Sequence, residues 1–259
     1  MLTGETLTRA GIDVVTLKPA ECDVSRGRDL PVDTVAVDYE GHEHVPDGRT
    51  LSRLADAKRV LVTTPVRADG FDPLGDDSLL GRLPSNVRRV LVAGHPAYLS
   101  ETERARAVAP RLGRALEDAP DAWVGTEGVE RLAMATGGVQ YDLLSRNTES
   151  ELRGLRAAGF DGELAVYAPT VLTDDEDAIL DGVGAYAARR GAVARALPEG
   201  APTDSTASGR AREVLSTAVR DYALVGSVED VRSQVGALRE AGADHVVAYP
   251  ARGLDDFLA

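Results

Sequence analysis

The sequence predicts an α/β protein of the (β/α)8 barrel class, and three observations carry this prediction. Eight short apolar segments alternate with helices or with loops that contain one. The chain has 259 residues, and a barrel of this class takes about 250. None of the eight segments is followed by a glycine-rich phosphate loop, which disfavours the alternative, an open doubly wound sheet. No linker is evident, so we expect a single domain over residues 1–259.

The eight segments predicted as strands share an apolar composition. They are rich in Val, Leu and Ala and show little polar alternation, which is typical of parallel strands covered on both faces. They span residues 12–17, 32–39, 59–66, 88–94, 122–126, 139–144, 163–168 and 245–249.

The stretch from 221 to 250 shows the helix–strand unit most clearly. Ser227 is a good N-cap, and Asp230 stands at the N3 position as in a capping box. Gly242 should end the helix, because glycine best tolerates the left-handed backbone conformation found just after a helix. One helical face carries Val228, Val231, Val235 and Leu238.

A second capping box, Ser100 with Glu103, predicts a helix that runs to about Asp118. Between the third and fourth predicted strands, a loop rich in Asp, Gly and Pro at 67–77 leads into a helical turn at 78–83. These boundaries complete the alternation between the third and fifth predicted strands.

Composition limits the partners. The net charge is −13 and only two lysines occur, a balance that resembles proteins of salt-accumulating archaea, in which a carboxylate-rich surface maintains solubility. Duplex nucleic acid is an unsuitable partner, because Lys and Arg supply most of the affinity for phosphates. We expect a small-molecule ligand, and a homodimer through the helical shell remains open.

Three absences in the sequence indicate the compartment. Cys22 is the single cysteine, so no intrachain disulfide can form. No apolar run approaches the roughly 20 residues of a membrane span. The N-terminus lacks the charged and then apolar regions of a signal peptide. We therefore expect a cytoplasmic protein without membrane association.

Reactive groups of a barrel gather at the carboxyl ends of its strands. At those ends the sequence places polar residues with both signs of charge, which favours a small polar or anionic ligand. The catalytic candidates are Lys18, His95 and Glu127; the candidates for binding substrate or cofactor are Asp38, Thr63, Thr64, Arg67, Thr126, Arg146, Tyr167 and Tyr249.

Each catalytic candidate has a structural alternative. Lys18 could act as a base or Schiff-base nucleophile, or pair with Asp38 or Glu40. Glu127 could be a general acid or base, or cap the helix that follows it. His95 could carry a proton near neutral pH, or be held by a backbone carbonyl.

The basic and metal-ligating candidates also have alternatives. Arg67 and Arg146 could grip a phosphate or carboxylate in bidentate fashion, or pair with nearby aspartates. His42 and His44 alternate as zinc ligands can, but no third ligand is evident, so we predict no metal site.

The C-terminal third resembles the luciferase-like superfamily of flavin- and F420-dependent oxidoreductases, which includes methylenetetrahydromethanopterin reductase. The residues that carry the resemblance are ELAVYAPTVLTDDEDAILDGVGAYAARR and YALVGSVEDVRSQVGALREAGADHVVAYP, within residues 163–250. The resemblance implies a (β/α)8 barrel with F420 or FMN at its mouth.

Three functions remain open at this point. The first is an F420- or flavin-dependent oxidoreductase, with His95 and Glu127 handling protons and Arg67 or Arg146 holding an anionic group. The second is a cofactor-free lyase or aldolase that uses Lys18. The third is a non-catalytic barrel that keeps the fold without the chemistry.

Overall fold

The computed structural model describes residues 5–67, 83–95 and 99–258. In this part of the chain, nine β-strands form one sheet. The predicted helical turn at 78–83 and the predicted loop at 67–77 fall almost entirely outside the described residues. The strands are β1 (Val14–Leu17), β2 (Thr34–Val37), β3 (Arg59–Pro65), β4 (Val87–Val92), β5 (Trp123–Gly125), β6 (Gln140–Leu143), β7 (Leu164–Val171), β8 (Leu224–Val225) and β9 (His245–Pro250).

The strand order is that of a closed barrel. Strands β1 to β6 neighbour one another in sequence order, β1 also neighbours β9, β9 neighbours β7, and β7 pairs back with β6. The pairings from β1 through β6 are parallel. This ring of eight strands confirms the predicted fold class, a (β/α)8 barrel. The ninth strand, β8, adds a short parallel pairing at the end of β7.

Each connection between strands that lies within the described residues contains a helix. Two short 3-10 helices, Val24–Asp29 and His42–His44, follow β1 and β2. The α-helices of the described residues are α1 (Glu5–Ala10), α2 (Gly48–Ala55), α3 (Glu101–Arg104), α4 (Val108–Asp118), α5 (Glu130–Ala135), α6 (Thr148–Ala157), α7 (Glu176–Ala188), α8 (Gly191–Ala196), α9 (Gly209–Tyr222), α10 (Val228–Ala241) and α11 (Asp255–Leu258). None of them is long and apolar enough to cross a membrane.

The helix predicted from Ser100 to Asp118 is two helices. The capping box of Ser100 and Glu103 forms as expected and starts α3. The chain then leaves the helical path at 105–107 and begins again as α4. Pro110 explains the break, because proline is tolerated in the first turn of a helix but disrupts its interior. Restarting at Val108 places this proline in a first turn.

The chain divides into two compact units. We call Val14–Asp142 with Asp161–Ala165 the N-terminal unit, and Met1–Asp13, Leu143–Phe160 and Val166–Ala259 the C-terminal unit. In the N-terminal unit, α4 and α5 cover the outer face of β4 and β5. This core contains Leu91, Leu112, Ala115, Val124 and Ala133, all nearly inaccessible to water, and burial of each large side chain stabilises the fold by about 1.5–3 kcal/mol.

In the C-terminal unit, the core lies among α7, α8 and α9. It contains Ile179, Leu180, Val183, Val193, Leu215 and Val219. The predicted capping box of α10 is present, with Ser227 and Asp230 bonding to each other's backbone N–H groups. Gly242 ends that helix with φ of 121°, a conformation that residues with a side chain rarely adopt. Arg156 holds this end by donating to the Gly242 carbonyl at 2.8 and 3.1 Å.

Candidate active site

Asp38 follows β2 directly and forms the centre of a polar group in the N-terminal unit. The Thr63 hydroxyl on β3 donates to Asp38 Oδ1 at 3.0 Å. Burial raises the pKa of the Asp38 carboxyl to about 6, although the charge of Lys18 and the bond from Thr63 oppose this shift. A carboxyl with such a pKa can accept or release a proton close to neutral pH, so Asp38 has the properties of a general acid or base.

Strand register explains why Asp38 meets Thr63. The parallel pairing aligns Val37 with Val62, so the next residue on each strand, Asp38 or Thr63, is again a neighbour across the pair. Thr64 points to the opposite face, because side chains alternate along a strand, and its buried hydroxyl donates to the Val62 carbonyl at 3.0 Å. Of the two threonines predicted as binding residues, only Thr63 contacts Asp38.

Lys18 lies at the end of β1 among carboxylates. Its Nζ is 3.5 Å from Glu21 Oε1, and 23% of its side chain is exposed. The structural alternative placed this ion pair on Asp38 or Glu40. Glu21 is a further carboxylate partner, because the chain turns after Pro19, where the Lys18 carbonyl accepts the Glu21 N–H at 3.0 Å. The charge of Lys18 also acts on Asp38, and Glu40 accepts the Ala20 N–H at 2.8 Å.

His95 and Glu127 form a second polar group, at the ends of β4 and β5. His95 Nε2 is 3.4 Å from Glu127 Oε2, with 33% and 37% of the side chains exposed. Gly94 makes this approach possible, since a Cβ at that position would lie 2.2 Å from the Glu127 carbonyl oxygen. Glu127 makes no hydrogen bond to the described start of α5, where Glu130 accepts the Gly128 N–H. The helix-cap alternative for Glu127 therefore has no support in these contacts.

Arg67 is held by a buried carboxylate. Its Nε and Nη2 each donate to a different oxygen of Glu103 at 2.9 Å, and the Glu103 side chain is only 2% exposed. Arg111 lies nearby and donates to the Val66 carbonyl. Burial lowers the pKa of the Arg111 guanidinium, while the charge of Glu103 opposes this effect. The structural alternative for Arg67 was pairing with nearby aspartates; the carboxylate that these contacts show is Glu103, 36 residues away.

Thr126 pairs with a carboxylate at the end of the neighbouring strand. Its hydroxyl donates to Asp142 Oδ1 at 2.6 Å. Thr126 is almost fully buried, so this bond orients Asp142 at the end of β6. The pair extends the row of polar strand ends in the N-terminal unit.

The three remaining candidates belong to the C-terminal unit. Tyr167 on β7 is 7% exposed, Tyr249 on β9 is half-buried and Arg146 is exposed. Arg146 follows β6 and precedes α6, as the sequence predicts, and no ion pair involves it among the described residues.

The structure thus brings together Asp38 with Thr63, His95 with Glu127, and Thr126 with Asp142. Sequence reasoning missed Asp142, whose negative charge within a predicted strand was the available signal. It treated Glu103 only as a capping residue and did not consider Arg111. Within the described residues, no three His, Cys, Asp or Glu side chains are arranged to hold a metal ion.

Comparisons with known proteins agree with the fold. A family model described as a family of unknown function (DUF7388) matches residues 7–257. No curated protein matches the chain in sequence.

Three similar solved structures each cover 95% of this chain. The coenzyme F420-dependent tetrahydromethanopterin reductase of Methanopyrus kandleri has a TM-score of 0.61, 12% identity and 95% of its own chain covered. An F420-dependent secondary alcohol dehydrogenase in complex with an F420–acetone adduct has a TM-score of 0.55, 13% identity and 96% covered. Apo-MsnO8 has a TM-score of 0.57, 15% identity and 94% covered. At these identities the likeness shows the shared fold.

Proposed function

Because this chain belongs to DUF7388, a family of unknown function, and shares its barrel with F420-dependent enzymes, we propose that it is an oxidoreductase. It would transfer a hydride between F420 or a flavin and a small polar substrate. The observation that carries the proposal is the His95–Glu127 pair, 3.4 Å apart at two adjacent strand ends. Similarity to a reductase and an alcohol dehydrogenase supports the redox class.

The residues of the N-terminal unit fit such a cofactor in their chemistry. F420 and FMN carry ring carbonyls and anionic phosphates, which suit an ammonium group such as that of Lys18. Strand register aligns Thr63 with Val90 and Val90 with Trp123, so these side chains share one face of the sheet. Trp123 packs against Tyr141 with ring centroids 6.1 Å apart. Val90, Trp123 and Tyr141 are 0%, 4% and 7% exposed, so they form apolar and aromatic packing that supports the polar strand ends.

The proposed roles follow from the contacts. The cofactor supplies the hydride chemistry. Oxidation of an alcohol also releases a proton, and His95 would accept it while Glu127 orients the imidazole and stabilises its charged form. Asp38, bonded to Thr63, would be a second proton carrier because of its raised pKa. Lys18 would attract an anionic group of the bound molecule.

Thermal unfolding in high-salt buffer tests this proposal, with FMN and F420 titrated separately. A ligand that binds only the native state stabilises it, by about 2.7 kcal/mol at one hundred times Kd. We expect one compound to raise the Tm, and Lys18→Met to reduce that rise. Lys58→Met is the matched control, since Lys58 donates to the Leu30 carbonyl and should leave the ligand-induced rise unchanged. No rise with either compound at millimolar concentration contradicts the proposal.

Lys18 favours a second candidate, a cofactor-free lyase or aldolase. Its side chain is partly buried, and its charge acts on the raised-pKa carboxyl of Asp38, so an amine and a proton carrier lie together. Borohydride reduction in the presence of small aldehydes and ketones would trap a Schiff base, detected as a mass increase on the peptide that contains Lys18. An unmodified Lys18 removes the Schiff-base form of this mechanism.

The non-catalytic barrel has less support. Full burial of the three catalytic candidates in structural pairs would favour it. Instead the side chains of Lys18, His95 and Glu127 are 23%, 33% and 37% exposed.

A further inference from the structure

Two cavities in the C-terminal unit share the same two charged residues. The first, about 330 Å³, is lined by the end of β6, the start of α6, β8 and one face of α10. The second, about 440 Å³, lies between α8 and α9. Arg146 and Asp221 line both cavities, so the charged pair stands where the two spaces adjoin.

All other charged residues that line these cavities have partners. Arg220 donates to both oxygens of Glu176 at 2.8 and 3.3 Å. Glu149 accepts from Arg153 at 2.8 Å, and Arg210 pairs with Glu213 at 3.4 Å.

Arg146 and Asp221 differ from these residues. Across the described part of the chain, neither side chain has a hydrogen bond or an ion pair, and the two do not pair with each other. An arginine and an aspartate therefore line the same cavities, and neither side chain forms a polar contact with the described residues.

The larger cavity adds an apolar wall beside this charged pair. The apolar part of its lining is Ala192, Val193 and Ala196 of α8, and Val214, Ala218 and Tyr222 of α9; Arg210, Glu213 and Thr217 complete the wall. Alanines leave room between the helices, and the volume lies in the range of small-molecule pockets, roughly 300–1,000 Å³. The space suits a compact hydrocarbon or aromatic group.

We propose that these cavities bind a free amino acid with an apolar side chain. The α-carboxylate would bind the Arg146 guanidinium, which matches a carboxylate in bidentate fashion. The α-ammonium would bind Asp221, and the side chain would lie in the groove between α8 and α9. A simple acid or a simple amine would satisfy only one of the two charges, so a zwitterion fits best. This site is separate in its residues from the strand-end groups of the N-terminal unit.

Isothermal titration calorimetry on the full chain tests the ligand class. The probes are L-phenylalanine, 2-phenylethylamine, which lacks the carboxylate, 3-phenylpropanoate, which lacks the ammonium, and glycine, which lacks the side chain. We expect L-phenylalanine to bind at least tenfold more tightly than the other three compounds, because each of those three lacks one of the contacts that L-phenylalanine makes. Equal binding of the amine or the acid, or no heat from L-phenylalanine at millimolar concentration, overturns the proposal.

Variants test the place of binding. Arg146→Ala and Asp221→Asn should each weaken L-phenylalanine binding at least tenfold, with unchanged unfolding temperature as a check on folding. Arg195→Ala is the control, since Arg195 is an exposed arginine of α8 that does not line either cavity; its affinity should stay within twofold of the parent. Undiminished binding in either Arg146→Ala or Asp221→Asn overturns the assignment.

Discussion

The two units of the chain hold their charged residues in different ways. In the N-terminal unit, charged groups at strand ends meet partners on neighbouring segments, as Asp38 meets Thr63 and His95 meets Glu127. In the C-terminal unit, many pairs form along one helix at the i,i+3 or i,i+4 spacing, as in Glu149–Arg153 and Arg210–Glu213. Burial at the end of β2 raises the pKa of Asp38, whereas these helix-surface pairs leave both side chains largely exposed to water.

The largest effect should come from the contact between Gly94 and the Glu127 backbone. A Cβ added at position 94 would lie 2.2 Å from the Glu127 carbonyl oxygen, so Gly94→Ala must push β4 and β5 apart at their ends. We expect the free energy of unfolding to fall by about 1–3 kcal/mol. Urea unfolding measures this change.

Gly113→Ala is the control for this substitution. Gly113 lies in α4, and apart from its chain neighbours and the backbone of that helix no atom lies within 4 Å of a Cβ added there. Alanine should stabilise that helix by up to about 1 kcal/mol, because glycine is the poorer helix former. If both variants behave alike, close approach at Gly94 does not determine the geometry of His95 and Glu127.

The contributions of two aspartates to the free energy of unfolding should change with pH in opposite directions. Asp38 has a pKa of about 6 in the folded protein and about 3.9 when unfolded. The folded state therefore binds more protons in this window, and its stability falls as pH rises from about 4 to 6. Asp38→Asn removes this loss, so the variant should gain about 1–3 kcal/mol relative to the parent between pH 4 and pH 7.

Asp230 provides the comparison in the C-terminal unit. Hydrogen bonds from the Ser227 hydroxyl and N–H lower its pKa in the folded state. Its stabilisation is present above the unfolded pKa and is lost as pH falls through the folded value. Asp230→Asn should therefore cost more stability at pH 7 than at pH 3. Urea unfolding across pH 3–7 compares both variants, and slopes of the same sign would contradict the assignment of Asp38.

The smallest expected effect is the loss of an N-cap serine, and its cost in stability should differ between the two capping boxes. Ser227→Ala removes the cap of α10, a helix of 14 residues, and should cost about 1 kcal/mol. Ser100→Ala removes the cap of α3, a helix of only four residues, whose Glu103 is also held by Arg67. We expect roughly 0.5 kcal/mol there. A larger cost at Ser100 in thermal unfolding would show that Arg67 does not support α3.

Local pattern predicted the elements well where the physical cause is itself local. The Ser227 cap, the Gly242 stop and the strand predicted at 245–249 depend on neighbours within a few residues. All three are present, and the strand ends one residue later than predicted. The break between α3 and α4 was also readable in principle, since Pro110 cannot lie inside a long helix.

The candidate site was predicted only as a set of positions. Strand ends identified Asp38, His95 and Glu127, because polar residues that follow apolar strands are visible in one dimension. Their partners were not visible: Glu103 lies 36 residues from Arg67, and Asp142 lies 16 residues from Thr126. Periodicity contains no information on such pairs.

By itself, the sequence determined the alternation of helix and strand, the eight-strand barrel and the polar character of the strand ends, because caps, stops and apolar periods act over short distances. Only the tertiary structure decided which charges meet. The register of β2 against β3 brings the Thr63 hydroxyl within hydrogen-bond distance of Asp38. The turn after Pro19 brings Glu21 within 3.5 Å of Lys18. The packing of α9 beside α8 leaves Arg146 and Asp221 at shared cavities. These outcomes depend on distances between segments remote in the chain, which the order of residues does not specify locally.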